Sequence, residues 1–191
     1  MTRLGESREE AQELTTPIVN PKSILNLGNW NVRTMYATGK AAQVAKEMSR
    51  YSMDILGVRI DIKTEFYETL DETVRKSHRH DILIVTGDFN AKVGTDPNHY
   101  DSVMGKHGEG ERNENSERLF EFCAMNDLII TGTLFPHKKI HKLTWVSPDG
   151  KTKNQIDHTL INKKFKTSVR DTRVQRGADV SSDHYLVKTS L

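Results

Sequence analysis

The chain has 191 residues, 35% of them hydrophobic, and 28 Lys and Arg stand against 26 Asp and Glu for a formal charge of +2. That length supports one domain with a real core, and the near balance of charge excludes a strongly basic nucleic-acid coat while leaving room for a local basic face. Cys123 is the only cysteine, which excludes an internal disulfide framework. With no apolar run of membrane-spanning length and no secretory core, the expectation is a soluble intracellular protein, nuclear or cytoplasmic.

Residues 1–23 are rich in Glu, Thr and Arg, hold Pro17 and Pro21, and lack a sustained apolar face. They read as a disordered lead-in, with the folded domain over 24–191. Residues 24–32 have strand character, and Ala41, Val44, Ala45 and Met48 fall on one face of a helix ending near Tyr51. A short apolar strand over 54–58 precedes a helical spacing of Phe66, Leu70 and Val74. Next comes ILIVTGDFN, residues 82–90, then a polar loop over 94–115 and a helix over 116–126 with Leu119, Phe122 and Cys123 inward. Residues 128–131 read as a strand, and residues 143–146 and 155–161 as two more flanking SPDGKTKN, whose Asp149-Gly150 pair signals a hairpin. A last strand covers 185–191. Helices, strands and hairpins mixed in this way predict an α/β fold, a mixed-sheet sandwich flanked by helices.

Polar residues recur where the apolar strands end. Asp88 and Asn90 close the ILIVT run, Asn31 closes the first strand, Asp157 interrupts QIDHTLI, and Asp183-His184 precedes the last strand. Each alone has an ordinary reading as turn chemistry or a solvent-facing strand residue. Together they form the inventory of a metal-assisted phosphodiester hydrolase, which needs oxygen ligands, a positioned water and a proton carrier.

The motifs NWNVRT (29–34), GDFNAKVG (87–94), TWVSPDGKTKNQIDHTLI (144–161) and SSDH (181–184) resemble, in order, the endonuclease/exonuclease/phosphatase superfamily. More narrowly, they are similar to the endonuclease domains of non-LTR retrotransposons and to chains of the craniofacial development protein 2-like type. The resemblance implies a DNA endonuclease using Mg²⁺ or Mn²⁺. It also implies roles: Asp88 beside the attacking water, Asn90 on the scissile phosphate, Asp157 bonded to His184, and Asn31 and Asp183 supporting the metal. His184 would act either as a base or as a charged stabiliser, and Trp145 would pack under the hairpin rather than touch substrate.

One departure stands out. The family's principal metal ligand is a Glu, and the matching position here is Ile60. Asp61 is one residue away, where strand alternation turns it to the other face. The family's central strands have no counterpart around residues 58–63, so the fold is expected with those strands deleted. This leaves two alternatives to an endonuclease: an inactive remnant that still binds nucleic acid, or a phosphatase of the same fold.

Lys138, Lys139, Lys142, Lys163, Lys164 and Lys166 read either as a DNA-phosphate-facing patch or as a solvated surface. His137 and His141 have metal-compatible spacing, but HKKIH lacks the Glu of a zinc protease.

Overall fold

The computed structural model describes residues 23–32, 39–59, 70–71, 74–75, 81–95 and 102–191. Strand β1 (Asn26–Asn31) alternates, so Gly28 and Trp30 face one side while Leu27, Asn29 and Asn31 face the other. Trp30 and Val32 pack with Val44, Met53 and Leu186 beneath helix α1 (Lys40–Arg50). Gly28 makes room for a neighbour: a Cβ there would lie 2.5 Å from the Leu56 Cδ1 atom, so that side chain would have to move. The buried face of α1 is rotated from the expected stripe. Val44 and Glu47 are buried, whereas Ala41 and Ala45 are exposed, because Glu47 lies inward with Arg50 3.5 Å from its carboxylate.

Strand β2 (Ile55–Arg59) runs parallel to β1, with Arg59 opposite Asn31. Residues 70–71 and 74–75 are helical, as the spacing of Leu70 and Val74 predicts; Phe66 lies outside the described residues. Strand β3 (Ile84–Asp88) follows, then helix α2 (Glu114–Met125), whose start is set by an Asn113–Ser116 capping box two residues before the predicted one. Strand β4 (Leu128–Ile130) comes next. The predicted hairpin forms as β5 (Trp145–Val146) and β6 (Lys153–Asn154), with Gly150 at φ 71° in its turn. The expected strand over 155–161 begins instead at Asp157, as β7 (Asp157–Asn162). Strand β8 (Asp171–Gln175) has no apolar run to mark it in the sequence, only the alternation of buried Thr172 and Val174. Strand β9 is Leu186–Ser190.

These strands form a four-stranded sheet of order β2-β1-β9-β8 and a three-stranded sheet of order β3-β7-β4, with the β5-β6 hairpin beside them. Among the described residues no strand lies between β2 and β3 in the chain, and each of those two occupies an edge of its sheet. The proposed gap around 58–63 falls mostly on residues outside those described.

Helix α1 covers the outer face of the larger sheet, and α2 covers the other, burying Leu119, Phe120 and Cys123 against Val85, Leu128 and Leu160. Between the sheets the filling is graded. One end is apolar, with Ile129, Ile161 and Val169. The middle is a hydroxyl layer, where Thr172 Oγ1 lies 3.0 Å from Thr131 Oγ1 and 3.2 Å from Thr189 Oγ1. The other end holds Asn31, Asp88 and Asp157, so the site below sits on the polar rim of an otherwise packed sandwich.

Burial pushes the Cys123 thiol up to about 12, against a small opposing pull from Lys163. A thiol reagent at pH 8 is therefore expected to leave the native protein unlabelled and to react once per chain after denaturation, since the thiolate is the reactive form. Rapid stoichiometric labelling without denaturant would show that α2 does not seal this core.

Candidate active site

Three strand ends converge. Asp88 ends β3 and Asp157 begins β7, and the antiparallel register sets them directly opposite each other. Asn31 ends β1 on the facing sheet, and its Nδ2 donates to Asp88 Oδ2 at 3.2 Å. His184 enters from the segment before β9: its Nδ1 donates to Asp157 Oδ2 at 2.9 Å. The other ring nitrogen, Nε2, lies 3.5 Å from Asn31 Nδ2 and 3.9 Å from Asp88 Oδ2. The imidazole is thus held at one nitrogen and presented at the other.

The segment carrying His184 is fixed from several sides. Trp30 Nε1 donates to the His184 carbonyl at 3.0 Å, and Ser182 Oγ donates to the Asn31 carbonyl at 2.7 Å. The Thr144 carbonyl accepts from Tyr185 N at 2.7 Å, while the Thr144 hydroxyl accepts from Asp157 N at 3.0 Å. The β5-β6 hairpin therefore clamps both halves of the Asp157–His184 pair.

Burial works against a charged His184, but the hydrogen bond and field of Asp157, with Asp88 and Asp183 adding to it, outweigh that and hold its pKa above the ordinary imidazole value. Burial likewise pushes the Asp157 carboxyl up, partly countered by His184. Both directions describe a pair that keeps one proton to higher pH than a free imidazole would.

The cluster floors an open cleft of about 610 Å³ lined by Asn31, Asp88, Asn90, Lys92, Asn113, Asn115, Trp145, Asn154, Ile156 and His184. Of the residues singled out in the sequence, Asn31, Asp88, Asn90, Asp157 and His184 meet here. Asn90 is exposed at φ 50°, with its N–H donating to Asp88 Oδ1 at 2.9 Å. Asp183 is placed differently: its Oδ2 accepts from Trp145 Nε1 at 2.9 Å, and it is not in the cleft lining. Trp145, expected under the hairpin, is half-buried and forms part of the cleft wall.

The lysines do not form one patch. Lys163 and Lys164 follow β7 at the end away from Asp157, roughly 20 Å along the strand at about 3.3 Å per residue. Lys163 lies 3.4 Å from Asp127, and Lys164 lies over the Phe165 ring. Lys138, Lys139 and Lys142 belong to a turn against β8, where His141 Nδ1 is 3.3 Å from the Val174 carbonyl and Lys139 pairs with Glu109 at 2.8 Å. His137 lies 2.5 Å from Asp171 rather than sharing a ligand with His141. Among the described residues the cation lining the cleft is Lys92, which nothing in the sequence singles out. Asn113 and Asn115 were missed as well, although Asn-x-x-Ser before an apolar helix is a readable capping signal.

As a metal site the cluster fits in part. Asp88, Asp157 and His184 bring ligand atoms within 4.8 Å of one another, enough to hold a cation. For an oxygen-seeking ion the set is lean, because one Asp157 oxygen already accepts from His184 and imidazole suits softer metals. Ile60 and Asp61, the position expected to matter most, lie outside the described residues.

A mixed four-stranded sheet packed on an antiparallel three-stranded one, with helices outside and Asn, Asp, Asp and His at their converging strand ends, is the endonuclease/exonuclease/phosphatase fold. A family model described as endonuclease-reverse transcriptase matches residues 61–188, and the chain belongs to that family. Craniofacial development protein 2 of Bos taurus is 39% identical over 122 residues, 64% of this chain and 20% of that protein. Its namesake from Tragulus javanicus is 38% identical over 122 residues, 64% of this chain and 21% of that protein. The chain thus spans about a fifth of the length of these curated relatives. The endonuclease domain of TRAS1, a telomere-specific non-LTR retrotransposon, matches with a TM-score of 0.61 over 87% of this chain and 98% of that domain. At 12% identity that likeness is one of fold.

Proposed function

We propose that this chain is a divalent-metal-assisted phosphodiester hydrolase domain acting on DNA, with weak turnover as it stands. The observation that carries the reading is the Asn31–Asp88–His184–Asp157 cluster flooring an open polar cleft. Asp88 orients the attacking water and accepts its proton as the water oxygen bonds to phosphorus and the ester P–O bond breaks, the leaving alkoxide taking a proton from solvent. His184, favoured in its charged form by Asp157, donates from Nε2 to a phosphate oxygen as charge builds there. Asn90 and Lys92 bind phosphate at the cleft mouth. Mg²⁺, with Mn²⁺ as the alternative, would be held by Asp88 with Asn31 nearby and would supply charge neutralisation. Ile60 at the family's Glu position is the reason for expecting slow cleavage.

DNA is preferred over a small phosphate because of the family the chain belongs to and its likeness to the TRAS1 endonuclease domain. Affinity then rests on phosphate contacts and outlasts impaired chemistry. Duplex binding is expected to be weak, sequence-tolerant and detectable with a chelator present, with a log-log salt slope of about -0.9 per phosphate contact. Lys92→Ala should flatten that slope by roughly one unit, whereas Lys163→Ala, far from the cleft, should not change it. Mg²⁺-dependent nicking of supercoiled plasmid is expected to be slow and absent in His184→Ala. Binding without any nicking would favour the remnant reading, and a folded chain that neither binds duplex at low salt nor nicks it would remove DNA as the substrate. Lysines 138, 139 and 142 provide a further arm: if their joint replacement by Ala lowers the slope more than Lys92→Ala, the DNA runs past β8 rather than over the cleft.

A further inference from the structure

The turn that carries Asn90 is held by its main chain. Phe89 N donates to the Ile156 carbonyl at 3.0 Å, and Asn90 N donates to Asp88. The Asn90 carbonyl accepts from Asn113 Nδ2 at 2.8 Å and from Asn115 Nδ2 at 3.2 Å. Asn113 Oδ1 in turn accepts from Lys92 N at 2.9 Å and from Ser116 N at 3.1 Å. Between these anchors lies the Ala91 carbonyl, and its partner is His158 Nε2 at 2.7 Å.

His158 is a strange residue for its place. It shares with Leu160 the face of β7 turned toward α2, packs beside Phe89 with ring centroids 6.2 Å apart, and is 1% exposed. An aliphatic side chain would suit that core position. The ring has two nitrogens, and Nδ1 is buried with no hydrogen-bond partner among the described residues. A neutral imidazole carries a single N–H, and only the protonated nitrogen can serve a carbonyl. The proton must therefore sit on Nε2, aimed across from β7 to the residue after Asn90.

We infer that His158 is a positioning residue: its Nε2–H fixes the Ala91 carbonyl and, with Asn113, sets the left-handed Asn90 turn that presents the Asn90 amide and Lys92 to the cleft. Asn113 braces the turn from the helix side, and His158 braces it from the sheet side. The stiff ring supplies a donor at a fixed reach, which explains a bare nitrogen being tolerated in the core. What Asn90 then does to a phosphate rests on the proposed hydrolase reading; the bracing itself does not.

The test uses the full chain and His158→Leu, His158→Gln and His158→Asn. Glutamine puts a donor near the reach of Nε2, and asparagine stops short of it. The ¹⁵N imidazole spectrum of the wild type is expected to show the Nε2–H tautomer. Amide exchange over residues 89–92 should rise about tenfold in the Leu and Asn variants relative to the β9 amides, and should return toward wild type in the Gln variant. An Nδ1–H tautomer, or a Gln variant no better than the Asn variant, overturns the proposal, and these two readings decide the matter if the Leu variant does not fold. Duplex affinity and nicking form a separate arm. Loss of kcat with little change in KM in the Leu variant extends the role to catalysis, while a wild type inert toward DNA rejects the hydrolase reading and leaves the exchange data to judge the brace.

Discussion

Replacing Ile60 with Glu is expected to raise Mg²⁺-dependent nicking of supercoiled DNA by at least about 100-fold over the native chain, since losing even a residue that only supports a metal ligand costs roughly 10–100-fold. Strand β2 runs parallel to β1 and places Arg59 opposite Asn31, whose side chain bonds Asp88. Ile60 is the next residue. The present cluster offers a hard cation little: Asp157 Oδ2 is committed to His184, and the two oxygens of Asp88 already accept from Asn90 N and Asn31 Nδ2. A further carboxylate would add the inner-sphere oxygen that Mg²⁺ prefers. Ile60→Gln serves as the control, being polar and similar in size to Glu but uncharged. A thermal shift on adding Mg²⁺ should appear in the Glu variant and be small in the Gln variant, independently of turnover. If Ile60→Glu gains neither the shift nor the nicking, the missing acid is not what limits this chain.

Most of the site was legible because strand chemistry is local. An Asp, Asn or His that ends an apolar run has to lie on a sheet rim, and the order of four such endings carried the resemblance to the superfamily. The fold class followed from the same alternation of elements. What escaped were residues whose roles depend on distant partners. Strand β8 buries Thr172 and Val174 but has no apolar run, since its inward face meets the hydroxyl layer rather than a greasy core. Asp183 stands beside His184 in sequence, yet its Oδ2 accepts from Trp145 Nε1, a pairing fixed by the hairpin. The lysines could be read either as one phosphate-facing patch or as a solvated surface, because nearness in sequence does not say which of them share a face. The chain separates them, with β7 carrying Lys163 away from the cleft and a turn docking Lys139 against Glu109. Lys92 and Asn113 gave the opposite error: ordinary loop residues in the sequence, they meet at the cleft only because α2 is capped there.

Acid should destabilise the folded chain through His158 alone by roughly 3 kcal/mol between pH 6.5 and pH 4. Burial lowers the pKa of this ring from 6.5 to about 4, with the Ala91 carbonyl and Asp88 only partly opposing it. The unfolded chain takes up the proton near pH 6.5, whereas the folded chain resists it until about pH 4. Between those values the unfolded state binds more protons, so stability rises with pH there. This contribution is complete above pH 6.5 and is lost as pH falls toward 4. Asp157, its carboxyl pushed up by burial, responds toward the lower end and His184, held above the ordinary imidazole value, toward the upper, so the wild-type curve alone cannot isolate one ring. His158→Gln retains all of those groups and removes only the titrating imidazole. The difference in unfolding free energy between wild type and this variant, taken from urea transitions at several pH values from 7.5 to 4.5, should stay flat at the alkaline end and then move steadily against the wild type. A difference that stays constant over the whole range would show that burial does not lower the pKa of this ring. The physical origin of the effect is the same burial that makes the ring a rigid donor: an imidazole free to charge in water would be equally free to swing away from the Asn90 turn.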